Sequence, residues 1–322
     1  MEVNTAVLLV GGKGSRLYPL TATRPKPLVP FLNKPIIEYQ IEILVKTGIK
    51  KIILALNYFS EQIKAKALLW EQKYGIEVIY SKEGVPLGTA GPLKLAERHI
   101  SGDGFIVFNT DIYAFVELDK MIGRFVELNE TGKCVALIMT TDIDDPTRFG
   151  LIKTDGDRVV EFIEKPDKYT GNINTINAGM YVFSREILNK IHLRETSIEK
   201  EIFPEIAEAG HMRIFNLDGI WCDIGVPREY LNGQKMALEL SGDSGRNVVL
   251  GQGVEVADGV ELENCVLLDN VVVEKGCVIK NALIGKGCVI KANTIINDEE
   301  TLVLKDNTVY PNECCGGFCG CI

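Results

Sequence analysis

Residues 8–31 read LLVGGKGSRLYPLTATRPKPLVPF, an apolar run that opens into a loop holding Gly11, Gly12, Gly14, Arg16 and Lys26. Glycine has no Cβ, so a loop of this composition can turn its backbone amides toward a bound phosphate. The spacing is neither the G-x-G-x-x-G of a dinucleotide fold nor the G-x-x-x-x-G-K-[ST] of a P-loop. Arg16 and Lys26 add positive charge that can face a polyphosphate and relieve the charge of its leaving group. Taken alone, the same residues also read as a solvated basic turn.

Outward from this loop, short β-rich runs alternate with longer amphipathic ones. AVLLV, KIILAL, IEVIYS, FIVFNTD and CVALIMTT predict strands, while IIEYQIEILVKTG, SEQIKAKALLWEQKYG and TSIEKEIFPEIAEAG predict helices, the last of them capped. This order predicts an α/β fold with a mostly parallel sheet covered by helices, whose ligands sit at the carboxyl ends of the strands, where Gly11 and Gly12 fall. After Gly245 the period changes. Leu250, Val256, Leu262 and Leu268 recur every six residues, and after a local slip Ile284, Ile290, Ile296 and Leu302 do so again. That hexapeptide spacing predicts a short left-handed parallel β-helix burying one aliphatic residue per side. The expected domains are therefore residues 1–240, an α/β domain; residues 246–312, the β-helix; and residues 313–322, a Cys-rich tail.

The 322 residues are 46% hydrophobic and carry a formal net charge of −9. The chain is long enough to bury a full core, and it lacks the basic footprint with which nucleic-acid binders neutralise phosphates. Its opening, MEVNTAVLLVGG, carries an acid where a secretory signal is basic, and the apolar run stops after Val10. A cytoplasmic protein without a membrane partner is expected. Cys134, Cys222, Cys265, Cys277 and Cys288 lie in apolar segments and read as small core hydrophobes rather than a disulfide framework. Cys314, Cys315, Cys319 and Cys321 crowd the tail ECCGGFCGCI, which reads as a disordered thiol-rich end, with a loose fit to a prenylation signal and metal binding by the thiol cluster as the alternatives.

FNTD ends in Asp111 and WCDIG contains Asp223. Both suit Mg²⁺, which takes carboxylates plus phosphate oxygens, although a lone strand-end aspartate is more often a turn former. Alongside them stand VGGKGSRLYPLT, PKPLVPFLNKPI, PLGTAGPL (86–93), FIEKP (162–166), INAGMYVFS (176–184) and TSIEKEIFP (196–204). This set resembles the sugar-1-phosphate nucleotidyltransferases, in family order over almost the whole first domain, and within them the guanylyltransferases.

The resemblance implies that residues 1–240 are a nucleotide-binding, nucleotidyltransferase domain, and that a nucleotidyl group passes from GTP to mannose 1-phosphate, giving GDP-mannose and pyrophosphate, with Mg²⁺ as cofactor. It implies a homo-oligomer assembled through the β-helix, with a regulatory paralogue as a further partner. By the same likeness Leu9, Gly11, Gly12, Gly14, Ser15, Pro86, Gly88 and Thr89 line the nucleotide, Arg16 and Lys26 hold its triphosphate, and Asp111 and Asp223 hold the metal. Lys165 faces the sugar phosphate, with Gly150, Glu164 and Asn177 near the sugar hydroxyls. Glu83 occupies the place from which relatives contact the base edge, and a carboxylate there can accept from both N1–H and the exocyclic amine of guanine. Arg16, Lys26, Asp111, Lys165 and Asp223 form the expected catalytic set. Tyr18 stands where the guanylyltransferases usually carry arginine, a feature more like the bacterial thymidylyltransferases.

Three rival readings bear on this. An acyltransferase built on the β-helix would need a histidine in its coils, and His99, His192 and His211 all precede Gly245. A non-catalytic regulatory paralogue fits less well with retention of the catalytic set. A sister nucleotidyltransferase using another base or sugar stays open.

Overall fold

The computed structural model describes residues 1–57, 60–166, 171, 173–243 and 245–311. It divides into two compact units, Met1–Gly12 with Ile37–Trp221, and Lys13–Ile36 with Cys222–Ile322.

The first unit is built on a nine-stranded sheet: β1 (Val3–Leu9), β2 (Lys51–Leu56), β3 (Glu77–Lys82), β4 (Gly104–Asn109), β5 (Ala136–Asp142), β6 (Gly150–Asp155), β7 (Arg158–Glu164), β8 (Thr175–Ser184) and β9 (Met212–Asn216), in the order β3-β2-β1-β4-β8-β5-β9-β7-β6. Ala6, Val7 and Leu8 are wholly buried in β1, which runs parallel to both β2 and β4. A strand covered on both faces needs such a continuous apolar run rather than an alternating one. The helix α1 (Ile36–Lys46) follows, burying Ile37, Ile41 and Leu44 at helical spacing. It ends at Gly48, whose φ of +85° lets Gly48 N–H reach Val45 O and Ile49 N–H reach Leu44 O, so the last carbonyls are satisfied.

The expected mostly parallel sheet is in fact mixed. β1 to β4 are parallel, but β8 runs antiparallel to β4 and β5, and β7 antiparallel to β6 and β9. The cause is local. β6 and β7 are joined through Gly156 (φ +64°) and Asp157 alone, and so short a connection can join only antiparallel neighbours. The helix expected over 196–210 is present with a different start. Ser197 Oγ accepts from Lys200 N–H (3.2 Å) and Ser197 N–H donates to Glu201 Oε1 (3.0 Å). A π-type turn, Ile198–Ile202, then leads into a six-residue α-helix, Phe203–Glu208. Pro204 has no N–H to return to the preceding turn, which widens there.

In the second unit the chain after Gly245 forms stacked parallel coils. One ladder joins β10 (Val248–Leu250), β12 (Glu261–Leu267) and β14 (Val278–Ile284), with β16 (Ile295–Ile296) and β17 (Leu302–Leu304) both paired to β14. The other joins β11 (Glu255–Val256), β13 (Val272–Val273), β15 (Val289–Ile290) and β18 (Val309–Tyr310). Partners such as Cys265↔Ala282 and Val272↔Val289 differ by 17 residues, and the last coil, with Ala282↔Leu302, by 20. A strict six-residue repeat would require 18, which is why the period slips once per coil. Two of the expected core residues are corrected as well. Leu250 and Val256 are 42% and 39% exposed, whereas Leu267, Ile284, Val273 and Ile290, which follow them in the same columns, are buried. As the first members of their columns they have no preceding coil to cover them.

The coil corners demand left-handed backbone, supplied by columns of Asn and Gly: Asn247, Asn264 and Asn281 (φ +54°, +47° and +51°) form one, and Gly259, Gly276 and Asn293 another. In the first column the side chains also bond one another, Asn247 Nδ2 to Asn264 Oδ1 and Asn264 Nδ2 to Asn281 Oδ1 (2.7 Å). The long helix of this unit, Pro227–Leu240, packs on β12 and β14, where Val266 and Leu283 are buried.

Cys134, Cys222, Cys265, Cys277 and Cys288 are all buried and outside any disulfide, and burial pushes the thiols of Cys134, Cys222 and Cys265 up to about 12. The tail cysteines lie outside the described residues. No helix among the described residues is long and apolar enough to cross a membrane.

The asparagine column is directly testable. Asn264→Ala places a Cβ-bearing residue without a local polar partner at φ +47°, at a cost of about 1–2 kcal/mol, and removes side-chain hydrogen bonds contributing about 1 kcal/mol each. Urea unfolding should show a clear loss of stability for Asn264→Ala and a smaller one for Asn264→Gly, which keeps the backbone unstrained.

Candidate active site

In the first unit the strand ends deliver the site. β1 stops at Leu9, and Val10 N–H extends its pairing to Ala55 O (3.0 Å) before Gly11 and Gly12 turn away. On the edge strand, Glu83 continues β3 by donating its N–H to Leu56 O (2.9 Å). The residue is only 6% exposed. One carboxylate oxygen, Oε2, accepts from Leu87 N–H (2.8 Å), while Oε1 lies 3.3 Å from where a Cβ on Gly11 would stand. Gly11 and Glu83 therefore face each other across the strand tips. Burial raises the Glu83 carboxyl above its ordinary range, and the Leu87 amide works against that shift.

Pro86, Gly88 and Thr89 form the loop beyond Glu83. Gly88 takes φ +74° and approaches Thr196 so closely that a Cβ would sit 2.4 Å from the Thr196 oxygen. Thr89 N–H and Ala90 N–H both donate to that oxygen (3.1 and 2.9 Å), and Thr89 Oγ1 donates to Glu199 Oε2 (2.6 Å). Asp111 is half-buried in the turn after β4. Gln40, fully buried on α1, donates through Nε2 to Asn109 O (2.7 Å) and Ile112 O (3.0 Å), and Thr110 Oγ1 donates to Leu9 O (2.8 Å). These bonds fix the backbone on either side of Asp111.

A second group lies on the β6–β7 hairpin. Gly150 pairs with Glu164, and a Cβ on Gly150 would meet Phe162 Cζ at 2.6 Å and Glu164 Oε2 at 3.0 Å. Lys165 Nζ is 2.8 Å from Glu164 Oε1, its side chain is 64% exposed, and its φ is +40°. A long side chain in left-handed backbone costs about 1–2 kcal/mol, and the structure places that strain on an exposed ammonium. Asn177 follows Ile176, which pairs with Leu151 next to Gly150. Its Nδ2 donates to Tyr181 Oη (2.9 Å), and its Oδ1 accepts from Gly179 N–H (2.9 Å).

The third group belongs to the second unit. Gly14 is left-handed (φ +65°) and packs against Thr21 and Lys26, and Thr21 Oγ1 donates to Gly14 O (2.8 Å). A short turn, Ser15–Leu17, leaves Ser15 and Arg16 exposed over buried Leu17. Asp223, 9% exposed, accepts from Gly225 N–H through Oδ1 (2.7 Å). A Cβ on Gly225 would stand 2.6 Å from Asp223 Oδ1 and 3.1 Å from both Arg16 Nη2 and Lys26 Nζ. Two cations and a carboxylate thus converge on one point, which a side chain could enter only by displacing them. Such a cluster suits a polyanion.

Each unit thus assembles its own share of the expected residues: Gly11 with Glu83; Gly150 with Glu164 and Lys165; Arg16 and Lys26 with Asp223. Among the described residues no three His, Cys, Asp or Glu side chains converge on a metal position. Single carboxylates are nonetheless what Mg²⁺ requires, since it keeps waters and takes phosphate oxygens rather than occupying an all-protein cage. Gly225, Gln40 and Glu199 escaped the sequence reading. Gly225 and Glu199 lie inside the motifs WCDIG and TSIEKEIFP, but nothing in a motif string shows that Arg16, Lys26 and Asp223 meet at Gly225.

Residues 5–239 match the family model described as nucleotidyl transferase, and residues 235–315 match the GMPPB C-terminal domain. Over 238 residues the chain is 44% identical to the mannose-1-phosphate guanylyltransferase catalytic subunit beta of Danio rerio, an alignment covering 73% of this chain and 64% of that protein. The chain thus spans under two thirds of that relative's length. Over 314 residues it is 37% identical to the mannose-1-phosphate guanyltransferase of Hypocrea jecorina, covering 85% and 84%. Among solved structures it is similar to HddC from Yersinia pseudotuberculosis complexed with GMP-PN, with a TM-score of 0.58, 30% identity, and coverage of 71% and 97%.

The convergence on Gly225 predicts that Gly225→Ala pushes Asp223 aside and spreads Arg16 and Lys26, because the new Cβ falls inside contact distance of all three. Turnover with a nucleoside triphosphate should drop at least about tenfold while the melting temperature changes little, as misplacement near reacting groups costs rate steeply. Wild-type turnover would show that the convergence has no role.

Proposed function

The chain belongs to the nucleotidyl transferase family, and from that membership we propose that it transfers a guanylyl group from GTP to mannose 1-phosphate, releasing pyrophosphate and forming GDP-mannose. Relatives named for that activity support the reading, at 37% and 44% identity. The observation that carries the choice of base is Glu83, a buried carboxylate facing Gly11. It can accept from N1–H and the exocyclic amine of guanine, while adenine presents an acceptor and uracil two carbonyls.

In this reading a phosphate oxygen of mannose 1-phosphate attacks the α-phosphorus of GTP in line with the departing pyrophosphate. A new bond joins that oxygen to the α-phosphorus, and the bond from the α-phosphorus to the oxygen bridging to the β-phosphorus breaks. The attacking phosphate is already anionic, so no base need remove a proton and no covalent intermediate is required. The chain's work is to position two polyanions and screen their charge. Gly11, Gly12, Gly14, Ser15, Leu9, Pro86, Gly88 and Thr89 line the nucleotide. Arg16 and Lys26 hold the triphosphate. Lys165 transfers its ammonium from Glu164 to the sugar phosphate, and Glu164, Asn177 and the Gly150 amide hold the sugar hydroxyls. Asp111 and Asp223 are assigned to Mg²⁺, which when bound neutralises phosphate charge.

The remaining assignments are part of the same proposal: a left-handed hand for the stacked coils, domains over 1–240 and 246–312 followed by the tail 313–322, a cytoplasmic setting, and a homo-oligomer assembled through the coils, in company with a regulatory paralogue. Family models meeting between residues 235 and 239 support the division.

Mixing GTP, Mg²⁺ and mannose 1-phosphate should release pyrophosphate, and no release with any pairing of the four triphosphates and common sugar 1-phosphates would refute the reading. Glu83→Ala should lower kcat/KM for GTP at least about tenfold, since each hydrogen bond to a charged group contributes roughly 1.5–3 kcal/mol, and narrow the margin over ATP and UTP. The wild-type preference surviving in Glu83→Ala would place base reading elsewhere. The pH dependence has a definite sign. Guanine needs the ionised carboxylate, so GTP affinity should be lost as pH falls through the raised Glu83 value, from a higher pH than an ordinary glutamate would give. Glu83→Gln should remove that dependence.

A further inference from the structure

The loop that carries Arg16 and Lys26 is fastened to the far end of the coil stack. In the second unit, Asp306 of the last coil accepts from Thr23 Oγ1 (2.7 Å) and from Arg24 Nη2, both through Oδ2. Its other oxygen, Oδ1, accepts from Lys286 N–H (2.8 Å). The Arg24 and Asp306 side chains are 15% and 9% exposed, so this pair is shielded from water, unlike a surface ion pair.

The coil repeat supplies an internal comparison. The register Leu250↔Leu267, Leu267↔Ile284 and Ile284↔Leu304 puts Gln252, Asp269, Lys286 and Asp306 in one column, each two residues past a paired position. Asp269 Oδ1 accepts from Gln252 N–H (2.9 Å), just as Asp306 Oδ1 accepts from Lys286 N–H. That shared bond is the structural use of aspartate at this corner. Among the described residues Asp269 makes no hydrogen bond to residues 13–36, whereas Asp306 turns its second oxygen to Thr23 and Arg24. Lys26 follows Arg24 by two residues, and Thr21, which bonds Gly14 O, precedes Thr23 by two.

We infer that Asp306 is a positioning residue for the nucleotide loop: by holding Thr23 and Arg24 it fixes the backbone that presents Arg16 and Lys26, so the coil stack takes part in nucleotide binding in addition to any role in assembly. This rests on reading residues 13–36 as the triphosphate loop. Removing either partner leaves the other charge shielded and uncompensated, which loosens the loop rather than the coil.

The test uses the full chain with Arg24→Ala, Asp306→Asn, their double variant, and Asp269→Asn as the control for the corner bond. Hydrogen exchange of amides 13–28 should quicken in the first two variants and no further in the double, because the two residues act through one contact. Exchange in the coils over 248–296 should stay as in the wild type. The KM for GTP should rise at least about fivefold while that for mannose 1-phosphate stays within about twofold, a split that general loss of stability would not produce. The swapped pair Arg24→Asp with Asp306→Arg should recover most of the GTP effect. Should Asp306→Asn disturb the corner, Arg24→Ala, which leaves the Lys286 bond intact, decides alone. Unchanged exchange over 13–28, or the same GTP effect from Asp269→Asn, would overturn the inference. A wild-type chain that forms no nucleotide sugar would refute the proposed activity instead, and the exchange measurement would still decide whether Asp306 holds the loop.

Discussion

Asp223, Arg16 and Lys26 meet at Gly225, and the chemistry assigned to the second unit depends on that convergence. Asp223 Oδ1, Arg16 Nη2 and Lys26 Nζ all lie within 3.1 Å of the position its Cβ would occupy. Two cations brought this close repel each other, so the arrangement requires neighbouring negative charge. Asp223 provides part of it, and a triphosphate would provide the rest. The loop that brings Arg16 and Lys26 there is folded by short-range bonds, Leu17 N–H to Gly14 O, Thr21 Oγ1 to Gly14 O and Val29 N–H to Lys26 O, none of which reaches beyond residues 13–36. Bonds this local shape the loop but do not fix where it sits. Its anchors lie in the same unit: Asp306 on Thr23 and Arg24, the Leu250 carbonyl on Asn33 Nδ2 (2.7 Å), and the Tyr230 hydroxyl on Pro30 O.

Much of this was legible in the residues. KIILAL spans the same residues as β2, and the strand before the glycines, the strand ending at Asn109 and the first two helices lie where the β/α alternation placed them. These segments are long and strongly patterned, and their burial follows directly from their period. The hairpin over Gly150–Glu164 was missed, although Asp155-Gly156 between two β-rich runs is a strong turn signal, and with it the antiparallel pairing of β6 with β7. In the coils the six-residue period identified apolar columns but not the 17-residue turn, because one side of each coil is a residue shorter. The period also could not reveal that Leu250 and Val256 head their columns and stay partly exposed. Position within a stack is a tertiary property, invisible to spacing.

The site shows the same division. Charged and glycine residues in motif order pointed to polyphosphate chemistry, and the structure gathers Gly11 with Glu83, Gly150 with Glu164, and Arg16 with Lys26 and Asp223. The positions around them were not legible. Gln40 fixes the turn of Asp111 from inside an ordinary amphipathic helix, and Asp306 lies 282 residues from Arg24 in a repeat position that Asp269 also occupies. A residue that acts by holding another carries no signature of its own, and only the fold brings the two together.

The central claim is that residues 13–36 bind the terminal phosphates of a nucleotide through Lys26 and Arg16. Equilibrium dissociation constants of GTP, GDP and GMP, compared between the wild-type chain and Lys26→Met, test it most directly. In the wild type, affinity should fall steeply as phosphates are removed, and in Lys26→Met the three nucleotides should draw much closer together, since the lost ammonium served the phosphates rather than the base. Equal binding of the three nucleotides by the wild type, or the same ordering and spacing in Lys26→Met, would contradict it.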